Sequence, residues 1–290
     1  MFIQVLIGAL VIGSIYGLIG LGYSLIYSAS GLMSFVQGEL LMLGAFLGLT
    51  FFRYLQLPFL VSLVCTMILM YCVGILIERF IIRKLLQAGA NTIFIVLATI
   101  ALSIILQNFA MLVWGSNVYQ FPPIFDVTRV QIGPVQIPPE AIMAIVIGLC
   151  VMVLFHFFMA KTRLGTSMRA AAQDPVAAKT LAINVSFTTG ITWGIATMLA
   201  GVAGLLIGPI YGVSNHMGTM IGLKGFAGAV IGGYGNMYGA IVGSLLIGCI
   251  ETFTAAYISS MYKDFISFFI LILFLIFKPR GLFKGKVYGE

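Results

Sequence analysis

Predominantly apolar stretches of roughly 18 or more residues recur along the whole of this chain, each long enough to cross a hydrocarbon core about 30 Å thick as a helix. No other feature narrows the fold so sharply. In lipid every backbone N–H and C=O must find its partner within the protein, so spanning segments are helices or closed barrels, and runs of this length are helical. Of the 290 residues, 61% are hydrophobic and 8% are charged, against about 45–50% and about 25% in a soluble domain. A soluble core could not absorb that excess. The expected fold is all-α: a polytopic helical membrane protein forming one transmembrane domain over residues 1–290.

A net charge of +7 could point to nucleic acid, but its distribution argues otherwise. The basic residues fall between apolar runs in three clusters: Arg79, Arg83 and Lys84; Lys161, Arg163, Arg169 and Lys179; Lys278, Arg280, Lys284 and Lys286. They hold eleven of the fifteen Lys and Arg, the pattern that the positive-inside rule produces on a cytoplasmic face. No nucleic-acid partner is expected; membrane lipid is. Cys65, Cys72, Cys150 and Cys249 all lie in apolar runs, without zinc spacing or a disulfide framework, and read as small buried hydrophobes. The first 22 residues carry no basic n-region, and no Lys or Arg precedes Arg53, so they read as a first span rather than a cleaved signal.

Spans are expected at about 3–28, 31–52, 58–78, 91–113, 140–160, 186–210, 236–257 and 262–278. An outer segment at 114–139 carries Pro122, Pro123, Pro134, Pro138 and Pro139, which oppose a regular helix, and should pack on the outer surface. The basic segment 161–185 and the C-terminal tail are both placed inside. The chain between 210 and 236 must then travel inward in too few residues for a regular span. "GLKGFAGAVIGGYGN" is therefore expected as a short or broken helix around 219–235, descending to the midplane and turning at Gly232–Gly235. That gives about 8–9 crossings, with the N-terminus outside and the C-terminus cytoplasmic.

Irregular backbone at membrane depth is tolerated where it is buried in protein or lines a water-filled path, and paired glycine-interrupted segments mark transporter pathways. Segments 31–45, "GLMSFVQGELLMLGA", and 222–239 form such a pair. Glu39 near the middle of its span costs roughly 2.5–3.5 kcal/mol to insert, so it should face a cavity or lock two helices together. Ser34, Gln37 and Gly38 accompany it. Gln107, Asn108 and Glu251 interrupt other spans and are explained either by hydrogen bonding between helices or by lining a pathway. Gly232, Gly233 and Gly235 complete the candidate pathway set. His156, among phenylalanines, reads as packing. Many of the 34 glycines stand in small-xxx-small registers, such as Gly13 with Gly17, Gly44 with Gly48, Gly204 with Gly208 and Gly239 with Gly243, which allow close helix approach.

The segment "KTRLGTSMRAAAQDPVAAKTLAINVS" reads as two short helices. Leu164, Met168 and Ala171 give the first an apolar side. Asp174 followed by Pro175 restarts the helix, the carboxylate capping and the proline fitting the first helical position. Val176, Thr180 and Ile183 line the second. A docking element for a cytoplasmic partner fits such a break better than a surface anchor does. The chain has no G-x-x-x-x-G-K-[ST] loop, no evident catalytic triad and two histidines; no enzyme, metal site or bound cofactor is expected.

These residues resemble the permease subunits of branched-chain amino acid importers of the ATP-binding-cassette (ABC) class, a LivH-type family that includes urea and amide relatives. The resemblance runs along the whole length. It rests on "GSIYGLIGLGYSLIYSASGLMSFVQGELLMLGAF", "RLGTSMRAAAQDPVAAKTLAIN", "GVAGLLIGPIYGVSNHMGTMIGLKGFAGAVIGGYGNMYGAIVGSLLIG" and the closing "YKDFISFFILILFLIFKPRGLF". It implies a bacterial plasma (inner) membrane permease for branched-chain or related small amino acids, paired with a second homologous permease or a second copy. Two cytoplasmic ATPase subunits would hydrolyse ATP and dock on the 161–185 coupling loop at Gly165, Arg169, Asp174, Pro175 and Lys179. An extracytoplasmic solute-binding protein would deliver the ligand. Where relatives commonly read Asn-x-x-His-Gly-Glu, this chain has Ser34, Gln37, Gly38 and Glu39, which removes a group titrating near neutral pH. The alternative is a self-sufficient channel or facilitator for urea or a small amide. An ion-coupled carrier would need paired intramembrane charges, and Glu39 and Glu251 have no evident basic partner at their depth.

Overall fold

The structure, a computed structural model, describes residues 2–125, 129–132 and 135–283. Lys284 and Lys286 of the third basic cluster and Pro134 of the outer segment lie outside the described residues. Among the described residues six helices are long and apolar enough to cross a membrane. They are α1 (Phe2–Ser30), the continuous run from α3 (Phe59–Ile77) through a π-turn into α4 (Arg83–Gln87), α5 (Thr92–Trp114), α6 (Pro139–Lys161), α9 (Val185–Tyr211) and α11 (Met237–Tyr257). Three shorter apolar helices complete the bundle: α2 (Gln37–Leu49), which a π-turn extends to Tyr54, α10 (Met217–Gly232) and α12 (Lys263–Phe277). The fold is a polytopic helical membrane protein, with one small hairpin of β1 (Val130–Ile132) and β2 (Val135–Ile137) among the described residues.

Helix α9 is the axis of the bundle. Its most apolar stretch is 94% buried, whereas that of α5 is 22% buried, so α9 is core and α5 is periphery. The sequence explains the difference. Lipid tails are as apolar as leucine, so helices associate through close backbone approach, and α9 is studded with Gly190, Gly194, Gly201, Gly204 and Gly208. Gly44 of α2 meets Gly201 so closely that a Cβ on Gly44 would sit 2.3 Å from the Gly201 Cα. Around α9 pack α1, α2 and α3, while α11 runs along α1 and carries α10 and α12 on its flank. The outer segment folds back on the bundle: Tyr119 bridges Val213, and Phe121 stacks on Phe52 and lies against Gly208.

Three expectations change. The span expected from residue 31 becomes helical only at Gln37. The cysteines are not buried: Cys72 and Cys150 are exposed and Cys65 and Cys249 partly so, because they fall on helix faces turned away from the packed interior. The turn at Gly232–Gly235 lies near the basic end of the bundle, not at mid-depth. There Gly235 donates to Ser24 Oγ (3.1 Å) and Tyr238 Oη pairs with His156 Nδ1 (2.9 Å), each within two turns of the ends of α1 and α6. Leu282 and Phe283 donate to the carbonyls of Ile231 and Gly232 at 2.9 and 3.0 Å, closing the C-terminus of α10. The physical reason is that residues 212–216 already enter the bundle, so a 16-residue helix, about 24 Å long, reaches the far end unbroken.

Candidate functional site

Residues 32–35 run back along α1 outside any helix before α2 begins. Gln37 then lies beside Gly22, more than two turns from the end of α1. Backbone this deep needs partners, and α5 supplies them. Phe35 N–H donates to Thr99 Oγ1 (3.2 Å) and Ser103 Oγ donates to the Phe35 carbonyl (3.2 Å). The Gln37 amide donates to the Ala196 carbonyl of α9 at 2.6 Å, pinning the start of α2 against the axis.

The start of α10 meets the start of α2 at this level. A Cβ on Gly38 would lie 2.4 Å from the Gly218 carbonyl, and one on Gly222 would lie 2.6 Å from the Gly38 Cα. Glycine is required here by close approach. Between the two helix starts and α5 lies a cavity of about 320 Å³, whose lining includes Tyr23, Phe35, Glu39, Ser103, Gln107 and Thr219. Ile100, Ile104 and Leu223 form its apolar walls. Glu39, 4% exposed, accepts at Oε1 from Thr219 Oγ1 (2.7 Å), while its Oε2 has no hydrogen-bond partner. Glu39 is the one side chain in the lining with a formal charge.

The candidate pathway residues divide accordingly. Gly38, Glu39 and Gln107 come together at the cavity. Gln107 also donates to the Asn215 carbonyl (3.2 Å) and approaches His216 Nδ1 (3.0 Å), tying α5 to the loop before α10. Ser34 and Gln37 are buried behind the wall, with Ser34 Oγ and Gln37 Oε1 unpartnered. Asn108 is exposed and bonds its own helix at the Ile104 carbonyl (2.8 Å). Gly232, Gly233 and Gly235 are remote, at the opposite end of α10. A Cβ on Gly232 would meet the Gly239 carbonyl at 1.8 Å, and Gly233 and Gly235 take φ of 113° and 87°. Those glycines make a tight turn and a close helix contact, and line no part of this cavity.

One residue along α10 from the cavity wall lies a charge cluster, buried at Lys224 and Glu251 and partly exposed at Asp264 and Lys263. Lys224 of α10 pairs with Glu251 of α11 at 2.6 Å and with Asp264 of α12 at 2.6 Å. Tyr16 of α1 donates to the other Glu251 oxygen (2.7 Å), and Lys263 lies 3.7 Å from Glu251. Sequence reasoning left Glu251 without a basic partner; the structure corrects this. Lys224 is the only charge in "MGTMIGLKGFAGAVIG", a signal open to reading, but Asp264 joins it only through the packing of α12.

At the basic end, α7 (Arg163–Gln173) and α8 (Pro175–Thr180) break at Asp174. Asp174 Oδ1 accepts from the N–H groups of Val176 (2.8 Å) and Ala177 (3.0 Å), and Pro175 takes the first helical position. Gly165 packs where a Cβ would lie 2.6 Å from the Phe158 carbonyl. Arg169 and Lys179 are exposed, as are Val176 (73%) and Leu181 (72%). Leu164, expected on the packed side of α7, is also exposed, because Gly165, Met168, Ala171 and Ala172 face the bundle instead. Arg83 holds Glu78 (2.6 Å) and the Ser186 carbonyl (2.8 Å), joining the π-turn to the start of α9.

Residues 5–275 match the family described as branched-chain amino acid transport system / permease component. The chain is 34% identical to the high-affinity branched-chain amino acid transport system permease protein BraD of Pseudomonas aeruginosa, over 97% of this chain and 95% of that protein. It is 31% identical to the high-affinity permease protein LivH of Escherichia coli over the same shares. To the probable branched-chain amino acid transport permease protein LivH of Methanocaldococcus jannaschii it is 26% identical over 96% and 91%. With six apolar spanning helices and homology over nearly its full length, this chain belongs to the family of branched-chain amino acid transport permeases.

Proposed function

We propose that this chain is the transmembrane permease subunit of an ABC importer in a bacterial plasma membrane, passing branched-chain or related small amino acids. ATP is hydrolysed by separate cytoplasmic subunits, and the chain itself binds no cofactor. The observation that carries the reading is the Glu39 cavity: a buried carboxylate with one oxygen unpartnered, set where irregular backbone meets the start of a short helix. An idle carboxylate at that depth is disfavoured. The cavity opens between α5 and α10 on a bundle face of exposed Ile100, Ile104 and Leu223. A second permease, homologous or identical, would cover that mouth and enclose the path.

The α7–α8 pair supports docking of two ATPase subunits. Val176 and Leu181 project from the basic end, and a firmly capped break makes a rigid lever. An external binding protein would deliver solute at the opposite end, where the N-terminus lies. Reconstitution tests the reading. The chain with its ATPases, sister permease and binding protein should concentrate leucine in liposomes only with ATP, whereas the chain alone should neither concentrate nor pass solute. Rapid urea or solute flux through the chain alone would establish a channel instead.

A further inference from the structure

On another side of α9, α3 and α6 both pack on this axis but scarcely touch each other. The gap between them is an open groove of about 330 Å³, floored by Ile191 and Ile195 of α9. Its lining is apolar except for the hydroxyl of Tyr71. Leu154 and Leu164, 61% and 44% exposed, form its lip. The groove shares no residue with the Glu39 cavity. That cavity opens between α5 and α10, which lie against α2, so a sister permease over its mouth would leave the groove facing lipid.

One end of the groove is basic. Leu164 of the lip follows Arg163, and Lys161 stands one turn before it, both exposed. Arg163 makes no ion pair among the described residues, and Lys161 lies over the Phe157 ring at 5.4 Å. Arg83 Nη2 lies 3.4 Å from where a Cβ on Gly190 would stand, beside Ile191 of the floor. Nearby carboxylates do not offset these cations: Glu78 is 2% exposed and held by Arg83, and Asp174 caps α8. Lipid tails are as apolar as the groove, so hydrophobicity alone retains no particular lipid. Concave van der Waals contact and charge-assisted bonds to a phosphate would.

We propose that the groove is a bound-lipid site: an acyl chain of an anionic phospholipid, from the leaflet at the basic end, fills it, and Lys161 and Arg163 hold the phosphate. Nondenaturing mass spectrometry of the purified full chain, delipidated and titrated with dioleoyl phosphatidylglycerol or dioleoyl phosphatidylcholine, tests it. Wild type should retain one phosphatidylglycerol about ten- to thirtyfold more tightly than phosphatidylcholine. Lys161→Ala with Arg163→Ala should erase that preference, and Met198→Trp, which puts an indole into the groove, should abolish retention of both lipids. Equal retention by wild type, or a preference unchanged in the double variant, overturns the headgroup contact and the proposal with it. Retention undiminished by Met198→Trp shows that the lipid sits elsewhere. If Met198→Trp unfolds, as its thermal midpoint would reveal, a benzophenone side chain at position 154 decides the location in cell membranes. Capture of phosphatidylglycerol above its share of the membrane supports the site; capture at that share, or of another polypeptide, overturns it.

Discussion

Glu39 and Lys224 are both charged groups in apolar helices, yet they answer the cost of burial differently. Lys224 is neutralised by two carboxylates at 2.6 Å; Glu39 lines a cavity with one oxygen held by Thr219 and the other buried against Gly218 without a hydrogen-bond partner. Glu39→Ala is therefore expected to abolish uptake while leaving the assembly intact, measured as transport against co-purified subunits. Lys224→Met should instead lower thermal stability, because it leaves Glu251 buried with Asp264 close by. Breaking a buried pair costs about 3–5 kcal/mol, and a smaller loss is expected for Glu251→Gln, which leaves the Lys224–Asp264 pair in place. An unfolding midpoint equal for the two variants would show that the cluster is not coupled through Lys224. At this scale Glu39 was legible in the sequence, because a carboxylate inside an apolar run stands out. The difference between Gly38, which walls the cavity, and Gly233, which shapes a turn, was not, since both sit in glycine-rich stretches.

Among the elements, the two helix starts that meet at Gly38 and Gly218 decide whether a cavity exists. Gly38→Val would place carbon where the Gly218 carbonyl lies, the direct Cβ distance being 2.4 Å. Overpacking of this kind costs about 1–3 kcal/mol, and the expected outcome is separation of α2 from α10 with loss of transport. Gly89→Val, at a position with open space but a positive φ, should cost only local strain and keep uptake. The α7–α8 break is a separate lever. Asp174→Ala with Pro175→Ala removes a cap worth about 1 kcal/mol, and ATP hydrolysis should proceed without transport, or the ATPases should fail to co-purify. Full coupling in that variant would mean that the pair docks nothing. The break was legible because Asp-Pro carries its own local geometry. That Leu164 would point outward was not, since a short helix with small residues on one side can pack Gly165, Met168 and Ala172 closer than leucine.

For the whole molecule, the distribution of basic residues predicts sidedness. A cysteine introduced as Leu181→Cys, at an exposed position, should react with an impermeant thiol reagent only from the cytoplasmic side. Labelling from outside would invert the topology. Length and hydropathy of the runs determined by themselves that this chain is a helical membrane protein, because in lipid the backbone has so few ways to satisfy its hydrogen bonds. Local chemistry likewise determined where α7 ends and α8 begins. Only the tertiary structure decided where in the 31–45 segment the helix begins, that α10 enters already deep and runs unbroken to the basic end, and that Lys224 finds Glu251 and Asp264. Those outcomes depend on which helix lies beside which, with α5 completing the backbone of Phe35 and α12 bringing its carboxylate to α10. Contacts between residues 27 to 235 apart leave no trace in the local pattern that length and periodicity read.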